Sequence, residues 1–330
     1  MYYGKILEFD SKILKEKKRV FVHLPDDYKI KSYPTIYLIS SAPKDFRADI
    51  FQGQFIGIGI ENIDPKKYFI GQSNRDNYLN FLEDELIPFV EKEYNASLVR
   101  FISGHSISGG FVIDIFNKFP SSFSFYIATS PAVQVLNLDI AKTAYTKPVY
   151  LYFDIGSREN YEELEKANND LYKVLDSLKI KNLNWKYEVL ADETHETNGF
   201  TGFCRGYNFY KSFSTIPDSL LSKNIQTIIE YVNNLNSQLG NKVEIGEYVF
   251  MPNLLVNLKA ENYNNVLAVI EYIAKENPDF LGNESNSMID IADEILNKGS
   301  YAIARQAYQI IFDKTKDEKI KEKINALDKK

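Results

Sequence analysis

Hydrophobic and polar positions in the first two-thirds of the chain repeat with two different periods. Short runs rich in β-branched and aromatic residues recur at 3–10, 19–25, 35–40, 55–60, 100–104, 124–130, 149–153 and 185–190, eight candidate strands in all. Only a short Lys-rich connection separates the first two, which predicts an antiparallel pair. The later runs are almost continuously apolar and alternate with helical patterns. Over 77–94, Leu79, Phe81, Leu82, Leu86, Phe89 and Val90 share roughly one face, and 108–119 is largely apolar on one side. Over 161–178, Leu164, Ala167, Leu171, Val174, Leu175 and Leu178 fall at three- and four-residue spacings behind a Glu-rich first turn that suits the helix dipole. Strands apolar on both sides and spaced by helices predict an α/β fold: a mostly parallel eight-stranded sheet, antiparallel at its start, with helices on both faces.

After about Thr215 the strand signals stop, and Pro217 opens a run of helical segments. Residues 263–277 and 301–313 repeat one design, in which a Tyr opens a helix carrying small residues where a neighbour must approach closely. The pairs Asn262, Tyr263 and Ser300, Tyr301 are spaced a little wider than a tetratricopeptide unit of about 34 residues. The expected division is therefore a domain over 1–215 and a small all-α, tetratricopeptide-like region over 216–330. Two uses of that region stay open: a helical hairpin that merely covers the first domain, or a surface for a protein partner or self-association.

Composition narrows the chemistry. Lys and Arg total 39 against 45 Asp and Glu, a net charge of −6, so nothing marks the chain as a binder of nucleic acid or of an anionic membrane. A small-molecule substrate is expected. The one cysteine, Cys204, excludes an internal disulfide, and His23, His105 and His195 lie too far apart for a His-rich metal motif, so hydrolysis without metal or cofactor is expected. No apolar stretch approaches a membrane span, and the first residues carry no leader pattern, which reads as cytoplasmic. A periplasmic or secreted chain trimmed of its leader would read the same.

The sharpest local signal runs from Ser103 through Gly104, His105, Ser106, Ile107, Ser108 and Gly109 to Gly110, where a strand ends and a helix begins. Small neighbours let a serine sit on a tight turn with its oxygen lifted off the sheet. The usual pattern is G-x-S-x-G, and here Ser108 replaces the last glycine. Chain order adds to the signal. Ser106 follows the fifth predicted strand, Asp154 and Glu159 follow the seventh, and His195 follows the eighth, the order in which hydrolases of this kind present serine, acid and histidine.

With these residues in place, the chain resembles the esterase D-type putative esterase family of α/β hydrolases, most closely the branch that includes the trilactone siderophore esterases. The resemblance covers about Phe9 to Phe213 and rests on the order and spacing of segments 20–25, 33–39, 56–60, 81–88, Gly104 to Ser106, Ser130 with Pro131, and Asp192 to His195. It implies an α/β-hydrolase fold and a serine esterase with no cofactor, and members with a short tetratricopeptide-like tail exist. The chain departs from the family at Ser40 and Ser41, where Asp-Gly is usual, at Ser130 to Val133, and in the reduced loop 61–67. Those positions shape the acyl and leaving-group pockets, so substrate identity does not carry over.

Roles follow from chemistry. A serine hydroxyl is nearly unionised at neutral pH and needs a positioned base, so Ser106 is the expected nucleophile and His195 the base and then acid. For the acid, Glu159 can reach the far imidazole nitrogen. Asp154 is the rival, and a Ser-His dyad is a third possibility. The amide of Ile107 and one near Ser41 or Ala42 are the expected oxyanion donors, worth about 3 kcal/mol each. His105 and Ser130 are expected to line the substrate pocket. Cys204 is expected to be a buried small residue, and 314–330 a solvated helix end. A thioesterase or acyltransferase of the same fold would use the same machinery, and a catalytically silent interaction protein would use none of it.

Overall fold

Each apolar run folds into a strand close to its expected place. The computed structural model describes residues 4–30, 32–39, 55–61, 67, 72–136, 140, 145–239 and 243–329. The strands are β1 (Lys5–Ser11), β2 (Glu16–His23), β3 (Tyr33–Ile39), β4 (Ile56–Ile60), β5 (Ala96–His105), β6 (Phe125–Thr129), β7 (Val149–Gly156) and β8 (Leu183–Leu190). They form one sheet in the order β1-β2-β4-β3-β5-β6-β7-β8. β2 pairs antiparallel with β1 and β4, and every other neighbouring pair is parallel, so the sheet is mixed. The central strands β4, β6 and β7 are buried at every position, as strands covered on both faces must be.

Side-chain alternation divides the sheet's two faces. Tyr37, Ile58, Ile102 and Leu151 pack with Tyr78, Phe81, Phe111, Leu171 and Leu175 from the helices on one side. Ile36, Phe101, Phe125, Tyr150 and Tyr152 pack with Phe203 and Tyr210 on the other. On this second face the register sets Phe101 beside Phe125 and Phe125 beside Tyr150. Their rings stack at 5.4 and 4.5 Å, and Tyr210 sets its edge on Phe101 at 4.7 Å. Such contacts add about 0.5–1.5 kcal/mol each beyond area burial.

The helix expected over 77–94 is longer and less regular. It runs as α1 (Gln72–Asn80), a π-helical turn at Phe81–Leu86, and α2 (Ile87–Tyr94). The widened turn keeps Phe81, Leu82 and Leu86 buried while Glu85 turns to accept the backbone N–H groups of Lys12 (2.9 Å) and Ile13 (3.2 Å) and the hydroxyl of Ser11. Glu85 thereby caps the turn joining β1 and β2. Among the described residues, the other α-helices of the sheet unit are α3 (Ile107–Lys118), α4 (Glu162–Leu178) and α5 (His195–Ser214).

Contacts divide the chain into two compact units, Met1–Ser214 with Gln238–Asn241, and Thr215–Ser237 with Lys242–Lys330. The second is helical: α6 (Ile225–Leu239), α7 (Glu247–Lys259), α8 (Tyr263–Glu276), α9 (Pro278–Asn283), α10 (Ser285–Asn297), α11 (Tyr301–Thr315) and α12 (Glu318–Leu327). Its core includes Val249, Leu254, Val266, Ile270, Ala304, Ala307 and Ile311. The turns before α8 and α11 repeat each other. Asn262 has φ −86° and ψ 64°, and Ser300 has φ −86° and ψ 63°. The small residues Ala304 and Ala307 are fully buried, where helices approach closely. The segment 314–330 is more than a solvated end: after left-handed Lys316, α12 buries Ile320 and Ile324 at a helical spacing of four.

Candidate active site

The sequence between β5 and α3 builds a strained turn. Ser106 has φ 57° and ψ −119°, a conformation that residues with a Cβ rarely adopt. Hydrogen bonds hold it on both sides: its N–H donates to Thr129 O (2.9 Å), and its carbonyl accepts from Gly110 and Ala132 (2.9 Å each). The tight crossing of strand and helix falls on two glycines. A Cβ at Gly104 would lie 2.5 Å from the carbonyl of Ser108, and one at Gly109 would lie 3.0 Å from Thr129 O. The atoms of residue 108 nearest a Cβ at Gly104 are backbone atoms, so the crossing constrains Gly104 more than the side chain at 108. Ile107 is the first residue of α3, where a backbone N–H has no intrahelical acceptor.

Three side chains from three strand ends meet at this turn. His195 Nε2 lies 2.8 Å from Ser106 Oγ, and His195 Nδ1 lies 2.8 Å from Glu159 Oε2. His195 is the first residue of α5, and the carbonyl of Thr194 just before it accepts from Asn198 N (2.9 Å). Glu159 has a side chain only 1% exposed. Burial pushes its carboxyl up, but hydrogen bonds from His195, the Ser130 hydroxyl and Gly156 N outweigh that and hold it below the usual range. The imidazole responds in the opposite sense. Its hydrogen bond to Glu159 raises its pKa, and burial only partly offsets this.

The other expected residues sit around this row. Asp154 is fully buried near the end of β7, where it accepts from Asn198 Nδ2 (2.6 Å) and Ser130 N (3.2 Å). Burial pushes its carboxyl up to about 7. Ser130, expected at the substrate pocket, is fully buried in a left-handed conformation, φ 41°, with its hydroxyl donated to Glu159 Oε1. His105 stands behind His195, with ring centroids 4.8 Å apart and Nδ1 3.1 Å from Thr129 Oγ1. Burial pushes His105 down to about 4, so it is uncharged at neutral pH. Cys204 is half-buried, and burial pushes its thiol up. Ser41 and Ala42 lie outside the described residues.

Two residues escape sequence reasoning. Asn198 lies one helical turn from His195, an i,i+3 spacing that is the one available signal. Tyr161, 55% exposed, sets its ring edge against the imidazole at 5.4 Å between centroids, and no periodicity marks it. Among the described residues no three His, Cys, Asp or Glu side chains are grouped to hold a metal ion, and no helix is long and apolar enough to cross a membrane.

The chain is similar to known proteins in sequence and fold. Residues 11–200 match the family model described as "Putative esterase". Ferri-bacillibactin esterase BesA of Bacillus subtilis (strain 168) is 29% identical over 101 residues, so the match spans only 30% of that relative's length and 30% of this chain. An IroE-like serine hydrolase from Shewanella oneidensis shares the fold with a TM-score of 0.64 at 18% identity, over 82% of this chain and 98% of its own. An uncharacterised protein from Capnocytophaga ochracea DSM 7271 has a TM-score of 0.74 at 12% identity, over 99% of this chain and 100% of its own, a likeness that includes the helical unit.

Proposed function

The chain belongs to the putative esterase family, and from that premise we propose that it is a serine carboxylic-ester hydrolase acting through an acyl-enzyme on a small-molecule ester. The observation that carries this reading is the unbroken row from Ser106 Oγ through the imidazole to Glu159, with both links at 2.8 Å. Glu159 accepts the Nδ1 proton, which leaves the Nε2 lone pair facing the serine hydroxyl.

The steps follow from that tautomer. As Ser106 Oγ attacks the ester carbon, its proton passes to His195 Nε2, and the imidazolium is stabilised by the adjacent carboxylate. The Ile107 N–H faces the negative oxygen that develops on the substrate. Collapse of the tetrahedral intermediate breaks the bond to the alcohol, which leaves with the proton from Nε2. Water then gives a proton to His195 Nε2 as its oxygen attacks the acyl carbon, and collapse of this second tetrahedral intermediate breaks the acyl bond, returns that proton to Ser106 Oγ and frees the acid. His105, kept neutral beside the working imidazole, does not place a second positive charge there. Because one relative is named for a ferric siderophore, lactone siderophores are the first esters to test beside simple acyl chains.

Two measurements decide the reading. A fluorophosphonate probe should label the protein at Ser106 and not label Ser106→Ala. The same substitution should lower kcat for p-nitrophenyl esters by at least about three orders of magnitude while the fold persists. Parental turnover in Ser106→Ala refutes the proposal.

A further inference from the structure

The row of three groups continues inward, beyond what hydrolysis itself requires. Glu159 Oε2 is taken by His195, and Oε1 accepts Gly156 N–H (3.1 Å) and the hydroxyl of Ser130. Ser130 Oγ in turn accepts one hydrogen of Asn198 Nδ2 at 2.6 Å. The same nitrogen gives its other hydrogen to Asp154 Oδ1, also at 2.6 Å, and Asp154 Oδ1 receives Ser130 N–H as well (3.2 Å). Ser130, Asn198 and Asp154 are each 0% exposed, so no water competes for these bonds.

Asn198 gives both of its amide hydrogens, one to Ser130 Oγ and one to Asp154 Oδ1. With a lone pair occupied by that N–H, the Ser130 hydroxyl is turned to donate toward Glu159. Glu159 therefore keeps one oxygen committed inward and the other committed to the imidazole. The left-handed φ of Ser130 is the backbone cost of putting its side chain and its N–H into the same array. Ser130 follows β6, Asp154 lies in β7 two residues before its end and Asn198 lies on α5, so three elements are bound to the acid through one network.

We propose that Ser130 and Asn198 are positioning residues for hydrolysis: with Asp154 as terminal acceptor they form a buried hydrogen-bond chain that locks the Glu159 carboxylate in the orientation His195 needs. The inference rests on the reading of Glu159 as the acid. It assigns Asp154 the role of an acceptor for the Asn198 amide, not of a rival acid, and it needs an oxygen at that position and not a charge. The array touches no substrate, so its loss acts on kcat with KM left in place.

The test compares Ser130→Ala, Asn198→Ala, their double variant, Asp154→Asn and Asp154→Ala with the parent, by ester hydrolysis, phosphonate labelling of Ser106 and thermal unfolding. Each of the first two should lower kcat and the labelling rate by about 10- to 100-fold with KM within about two-fold, because a misplaced acid misplaces the base. Members of one chain are not independent, so the double variant should lose little more than the worse single variant. Asp154→Asn, which keeps an oxygen facing Asn198, should retain activity within about three-fold, whereas Asp154→Ala should fall with the others. Ser130→Ala removes a single oxygen and decides the matter alone if Asn198→Ala does not fold.

Parental kcat in Ser130→Ala overturns the inference, as do losses that multiply in the double variant and follow thermal stability. Glu159→Gln measured in parallel separates the two readings. If it loses activity while Ser130→Ala does not, only the positioning chain is wrong. If it keeps parental activity, the assignment of the acid fails and the chain fails with it.

Discussion

At the scale of single residues, the pair of Glu159 and His195 sets a pH dependence whose sign can be worked out. His195 acts as a base only when neutral, and its contact with the carboxylate raises its pKa above the ordinary value near 6.5. Glu159→Gln removes that support, so the neutral form persists to lower pH. The acid limb of the kcat/KM profile should move to lower pH while the plateau falls by roughly 10²- to 10⁴-fold. An acid limb that stays in place, measured across the pH range with a p-nitrophenyl ester, counts against the contact. Ser106, Glu159 and His195 are legible in the sequence as a group because each follows a strand end on the same rim of a parallel sheet, and strand order alone brings them near one another. Ser130 is legible only as a neighbour of that rim. Its true partners, Glu159 and Asn198, are set by the pairing of β6 with β7 and by the first turn of α5, which no local pattern encodes.

At the scale of elements, the strands are the most legible part because burial on both faces leaves long apolar runs in β4, β6 and β7. Helix interiors are less so. The π-helical turn at Phe81–Leu86 is invisible in a pattern read at a regular period, because its cause is tertiary: Glu85 must reach the backbone of Lys12 and Ile13. The start of α5 at His195 is masked in the same way, with polar Glu193 and Thr194 before it and glycines at 199, 202 and 206 within it. Where the register is clear, packing predictions follow. Phe125 stacks between Phe101 and Tyr150 across three strands, so Phe125→Ala should cost about 3–5 kcal/mol of stability, read from the urea midpoint. A loss below about 1 kcal/mol would show that the aromatic ladder contributes little beyond ordinary surface positions.

At the scale of the whole molecule, two separate cores give two reporters. Trp185 is the single tryptophan and lies on β8 of the sheet unit, so its fluorescence follows that unit alone, whereas far-ultraviolet circular dichroism follows the helices of both. Ile270→Ala opens a void in the core of the helical unit and should weaken it by about 2–5 kcal/mol. The helical signal should then be lost at lower urea than the fluorescence of Trp185, and two coincident transitions would show that the units unfold together. The backbone at Ser106 bears on the same ledger. Its φ of 57° and ψ of −119° suit glycine, so Ser106→Gly should fold about 1 kcal/mol more tightly than Ser106→Ala, although neither keeps the hydroxyl. The inert glycine protein would then be the sturdier one, and durability would have been surrendered at a single position so that an oxygen can stand clear of the sheet.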